Sequence, residues 1–201
     1  MNAIRNPAPF AVIGLITAFL FAIVWIVAAE NDPTWVLGES KLSEMGVSTY
    51  DLTANAFKYG CIVCGILCLV FGIGKAACED GSSCASGIMC AAAGIALAFV
   101  GYFTTESNPD VHDIAAYLLF VFLALAVALS VHGDWSEGKR INGLVGIILF
   151  AMVIACFIGK DVAYTEAVAV ICGLLWLVSE SVKMIVCIKA AKDVKVDIET
   201  V

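Results

Sequence analysis

Charge is scarce in this chain: Asp, Glu, Lys and Arg make up 14% of its 201 residues. A water-exposed domain usually carries about 25%, so most of this sequence is not written for water. Basic residues are the scarcer sign, 11 against 18 acidic, for a net charge of −7. No Lys/Arg cluster follows the spacing of a phosphate backbone, which excludes nucleic-acid binding. Histidine is nearly absent, occurring only at His112 and His132. A catalytic zinc usually takes three protein ligands, so a three-histidine hydrolase is excluded. No phosphate-cradling loop, dinucleotide fingerprint or haem-ligand pair occurs, and no cofactor is expected. The two halves show no repeat, so the pattern of an inverted-repeat transporter is missing. No connection between apolar runs reaches the ~40 residues that a self-standing core needs.

What the chain has in excess is apolar surface, with 62% hydrophobic residues and a mean hydropathy of +0.98. It is concentrated in six runs, 10–29, 54–74, 87–103, 114–131, 141–159 and 164–182. A hydrocarbon core about 30 Å thick takes ~20 helical residues, so each run crosses once. Backbone groups in lipid allow only helices or a closed barrel, and continuous runs without period-two alternation select helices. The expected fold is all-α: a polytopic integral membrane bundle of six transmembrane helices, forming one membrane domain over 1–201. The first run exceeds the roughly 7–15 apolar residues of a cleaved secretory signal, so it is expected to remain as a span.

With the N-terminus inside, Arg5, Lys75, Lys139, Arg140, Lys183, Lys189, Lys192 and Lys195 face the cytoplasm, and Lys41, Lys58 and Lys160 face outward. That bias obeys the positive-inside rule, so both termini are expected in the cytoplasm and the protein in the cytoplasmic membrane. The cytoplasmic tail 189–201 mixes Lys with Asp and Glu and reads as solvated, touching anionic headgroups weakly. The first outer loop, 30–53, is the longest connection. Asp32-Pro33 and Leu37-Gly38 punctuate it as turns, residues 40–45 read as one helical turn, and Asp51 or Thr53 is the expected cap of the second span. Asn108-Pro109-Asp110 opens the fourth span with a capping Asn, a Pro at the first helical position and an acid in the first turn. Gly60, Gly65, Gly72, Gly87, Gly94, Gly101, Gly143 and Gly146 let helix backbones approach in lipid. A tight bundle within one chain is the expected use of them; a homo-oligomer or a membrane-protein partner is the alternative.

Three places hold polar groups that need an account. The outer surface gathers ten acids, Glu44, Asp113 and Glu166 among them, around His112. A histidine among carboxylates serves as a proton acceptor, metal ligand or pH sensor. Alternatively, Asp110 and Asp113 answer the positive end of a helix while His112 hydrogen-bonds a loop carbonyl. Ser43, His112 and either Glu44 or Asp113 supply the residue types of nucleophile, base and orienter. A divalent cation held by His112, Asp113 and Glu44 is the remaining metal option. In the inner half of the sixth span, Glu180 and Lys183 share a helical face and read as an intramembrane ion pair of structural use. Cys61, Cys64 and Cys68, from a total of nine cysteines, fall on one stripe and read as small apolar packing.

The segments Ser43-Glu44-Met45-Gly46-Val47-Ser48, Ala54-Asn55-Ala56-Phe57, Val100-Gly101-Tyr102-Phe103 and Val111-His112-Asp113-Ile114-Ala115-Ala116, with Phe120 following, occur in a definite order and spacing. In that arrangement the chain resembles the domain of unknown function 998 family over residues 10–188. Members are six-helix membrane proteins of archaea and bacteria. The resemblance implies the six-span fold and singles out Ser43, Glu44, Gly46, Asn55 and His112, with Met45 where Leu is more usual; it implies no reaction.

The leading expectation for function is non-enzymatic: binding or moving a lipid or small polar molecule at the outer leaflet, with Ser43, Glu44, Asn55 and His112 as ligand-binding residues and membrane lipids as partners. One rival is a membrane-embedded lipid-headgroup hydrolase or transferase using His112 with Ser43 or water. The other is a structural subunit that packs against a second membrane protein through its small-residue faces.

Overall fold

The computed structural model describes the backbone of residues 6–199 and the side chains of residues 6–187, and about 85% of the chain is helical. Six helices are long and apolar enough to cross a membrane: α1 (Ala8–Asn31), α2 (Asp51–Cys78), α3 (Gly81–Tyr102), α4 (Pro109–Ser136), α5 (Arg140–Gly159) and α6 (Val162–Glu199). The chain is an integral membrane protein of the multi-pass kind. Arg5 and the side chains of Lys189, Lys192, Lys195 and the rest of the tail lie outside the described residues.

The helices outrun their apolar runs because the polar residues at the run ends are taken up inside the bundle. α2 continues past Gly74 with Lys75 fully buried, and α4 continues past Val131 with Asp134 buried. At the start of α2 the expected cap is absent: the N-cap is Tyr50, and no side chain caps it. Thr53 instead donates its hydroxyl to the Ala28 carbonyl at 2.9 Å, pinning α2 to the end of α1. The fourth span starts as its sequence reads. Asn108 caps α4, its side chain accepting from the Val111 amide at 3.3 Å, with Pro109 as the first helical residue.

Alternating directions leave two ends. The loop end carries the α1–α2, α3–α4 and α5–α6 connections; the termini end carries the other two. Each helix packs on the next in sequence, and α6 returns to pack on α1, closing a ring. The tightest seam is α2 against α3. A Cβ added at Gly65 would lie 2.6 Å from the Ala98 amide nitrogen, and one at Gly94 would lie 2.6 Å from the Gly65 carbonyl oxygen. Gly72 and Gly87 meet one heptad further along the same seam. These glycines serve contacts within the chain. α5 is the least embedded helix, burying only Gly143, Gly146 and Leu149, all in its first half.

In the first outer loop the short helical element is a 3₁₀ helix, Leu42–Val47, anchored by buried Leu42 and Met45. Asp32 organises the turn before it. Its carboxylate accepts from the Ser48 hydroxyl at 2.5 Å, the Thr34 hydroxyl at 2.5 Å and the Thr34 amide at 2.9 Å. The Ser48 and Thr34 hydrogen bonds hold its pKa below the ordinary Asp value. Gly38 turns at φ +83°, in the left-handed region, against the ring of Tyr164.

Candidate functional site

At the loop end, the start of α4, the start of α6 and the 3₁₀ helix meet. His112 is buried on the inward face of α4, with Nδ1 2.7 Å from the Phe103 carbonyl oxygen. A carbonyl only accepts, so Nδ1 carries the proton in this contact, and in the neutral ring Nε2 keeps its lone pair. Glu166, one turn into α6 and half-buried, accepts the Leu42 amide through Oε2 at 3.1 Å. This bond ties the 3₁₀ helix to α6. Leu42 and Met45 of the 3₁₀ helix, Ala115 of α4 and Ala167 of α6 share one buried cluster, which brings Glu44, His112 and Glu166 to the same end of the bundle.

The structure distributes the residues that the sequence singles out. Ser43 is half-buried and Glu44 exposed on the 3₁₀ helix, within the same polar layer as His112. Asn55 and Asp113 are exposed on the outward faces of α2 and α4, away from that layer. The hydrogen bond described for His112 goes to a backbone carbonyl, not to Ser43, Glu44 or Asp113. Among the described residues no group of three or more His, Cys, Asp or Glu is placed to hold a metal ion. Glu166 is the residue that sequence reasoning undervalued. Its signal was a lone acid one turn inside an apolar run.

Directly below the polar layer the bundle keeps a small apolar cavity of about 80 Å³. Five helices wall it, with Leu119 and Leu123 from α4 and Val170, Gly173 and Leu174 from α6 facing across it. His112, Ala115, Leu119 and Leu123 lie on one face of α4, and Glu166, Val170, Gly173, Leu174 and Leu177 on one face of α6. Each of those faces runs from a polar residue at the loop end to apolar residues at the cavity. Gly173 makes room here, since a Cβ there would sit 2.7 Å from Leu123 Cδ2. Beyond Leu149, α5 fully buries no residue and only half-buried Val153 packs against the core, so its cover of α4 and α6 thins at this level.

Near the termini end lies a buried ion cluster. Glu180 Oε2 accepts from Lys75 Nζ at 2.6 Å and from Lys183 Nζ at 2.8 Å, while its Oε1 accepts from the Ser130 hydroxyl at 2.7 Å. Lys183 also reaches Asp134 Oδ1 at 2.9 Å, and Lys75 also pairs with Glu79. Glu180 and Lys183 thus sit within a network joining α2, α4 and α6. Lys75, Glu79 and Asp134 escaped sequence reasoning because each lies at the end of an apolar run, where a charge ordinarily meets water. The clue was the i, i+4 pair Lys75 and Glu79, which neutralises a charge before the helix ends.

No curated protein and no solved structure matches the chain significantly. The profile of a family described as protein of unknown function, DUF998, matches residues 15–182, from the middle of α1 to the ion cluster on α6. The chain belongs to the DUF998 family.

Proposed function

We propose that the protein binds an amphipathic lipid at the loop end, with the polar headgroup at the Glu166–His112 layer and the end of an acyl chain in the cavity below. The observation that carries this reading is the shared alignment on α4 and α6, polar at the loop end and apolar at the cavity. A cavity of about 80 Å³ is well under the roughly 300–1,000 Å³ that holds a whole small ligand. It suits a chain terminus whose remainder lies along the exposed apolar surface. The loop end faces outward in this reading. Lys75, Lys139, Arg140 and Lys183 stand at the termini end against Lys41, Lys58 and Lys160 at the other, the cytoplasmic side being the more basic.

A binding role is favoured over hydrolysis because His112 spends Nδ1 on the Phe103 carbonyl, so no Asp or Glu orients the ring through that nitrogen. The test is native mass spectrometry of the protein released from its own membrane. Wild type should carry a lipid adduct, and Gly173→Leu, which fills the cavity against a movable Leu123 side chain, should lose most of it. Glu166→Gln should weaken retention while keeping the fold. Equal retention by all three proteins would sink the proposal. Conversion of the bound lipid by wild type and not by His112→Ala would replace it with the hydrolase reading.

A further inference from the structure

At the opposite end, the α4–α5 turn, the first turn of α5 and the α6 turns from Ser179 to Cys187 line an open groove of about 550 Å³. That volume lies inside the roughly 300–1,000 Å³ range of ligand sites. Among the described residues its wall includes Lys139, Arg140 and Lys183 and no carboxylate, in a chain of net charge −7. Gly138 turns at φ +76°, which brings Lys139 and Arg140 to the groove at the start of α5. The neighbouring acids are already engaged: Glu137 pairs with Lys139 at 2.6 Å, and Asp134 and Glu180 hold Lys183 from inside the bundle. Arg140 is exposed and enters none of the ion pairs found among the described residues.

The rest of the wall is apolar. Ile141, Val182 and Val186 line the groove, and Ile141 is 79% exposed. Cations beside uncovered apolar side chains at a membrane edge match a ligand with a phosphate and hydrocarbon chains. A free phosphate would satisfy the cations and leave the apolar wall bare. We propose that this groove binds an anionic membrane lipid. Arg140 grips the headgroup phosphate with its planar fork, Lys139 adds a second charge, and the lipid chains lie along Ile141, Val182 and Val186. The site is on the other face of the bundle from the Glu166–His112 layer, and its success or failure is independent of that reading.

The experiment titrates delipidated full-length protein with phosphatidylglycerol or phosphatidylcholine and counts bound lipids by native mass spectrometry. Wild type should prefer phosphatidylglycerol. Arg140→Gln should lower phosphatidylglycerol binding about fivefold, the usual effect of one basic residue at an anionic surface, and leave phosphatidylcholine binding unchanged. Arg140→Lys should recover part of the loss, since it keeps the charge without the fork. Arg140 is exposed, so unchanged helicity and thermal midpoint in both variants are expected. Equal affinity of wild type for the two lipids, or wild-type binding of phosphatidylglycerol by Arg140→Gln, would overturn the proposal. Displacement of phosphatidylglycerol by millimolar inorganic phosphate would also overturn it, in favour of a free phosphate ligand.

Discussion

Glu180 accepts from two lysines and a serine while 2% exposed. Charges taken this far from water are tolerated because each one answers another, and removing one partner leaves the rest uncompensated. Glu180→Gln keeps the shape and deletes the charge that Lys75 and Lys183 share. It should cost about 3–5 kcal/mol, the range for breaking a buried pair, read as a lowered unfolding midpoint in detergent. Lys75 keeps Glu79 and Lys183 keeps Asp134 in that variant, which holds the loss toward the lower end of that range. If Glu180→Gln unfolds at the wild-type midpoint, the cluster contributes nothing to stability. Sequence spacing places Glu180 and Lys183 on one face of α6 and Lys75 four residues before Glu79, but not the two pairs together. Asp134 and Lys75 are distant in the chain, and which helix faces meet is decided by packing that periodicity does not encode. His112 is a similar case. Its position near a helix start is plain from Asn108-Pro109, whereas the choice of the Phe103 carbonyl as its partner depends on how the α3–α4 loop folds back.

At the scale of elements, the α2–α3 seam is the least adjustable part of the fold. A Cβ at Gly94 would lie 2.5 Å from the Leu69 amide nitrogen and 2.6 Å from the Gly65 carbonyl oxygen, both backbone atoms that cannot swing aside. Gly94→Val should therefore destabilise at or above the upper end of the ~1–3 kcal/mol typical of overpacking. Gly159→Val is the matched control, because nothing lies within 4 Å of the added Cβ. Size-exclusion profiles and unfolding midpoints of the two variants separate these outcomes; equal behaviour would mean that the seam opens freely. The six helices themselves were legible in the sequence, since ~20 apolar residues in a row have few other uses. Their ends were not. Hydropathy stops at Gly74 and Val131, while the helices run on to Cys78 and Ser136 over charges neutralised by other helices.

At the scale of the whole molecule, the ring carries a different chemistry at each end. The loop end holds Glu166 and His112 above an apolar cavity, and the termini end holds the ion cluster beside a cationic groove. α2, α3 and their glycine seam form the firm side of the ring; α5, with three buried residues, forms the loose one. Local opening draws on regions with few buried contacts, so the bundle is expected to open first beside α5.

Closure of α6 on α1 also bears on connectivity. Gly14 lies against Ser181, and the two helices run antiparallel, so the first turn of α1 stands level with the α6 turn at Cys187. The two ends of the ring are thus neighbours, as any hairpin-linked pair would be. A circular permutant that joins Cys187 to Ala8 through a short glycine-rich linker and opens the chain at Gly138 should insert with all six helices and keep its unfolding midpoint within a few degrees. Failure of that permutant to yield folded protein would show that the order of synthesis, and not the ring of contacts, determines the assembled bundle.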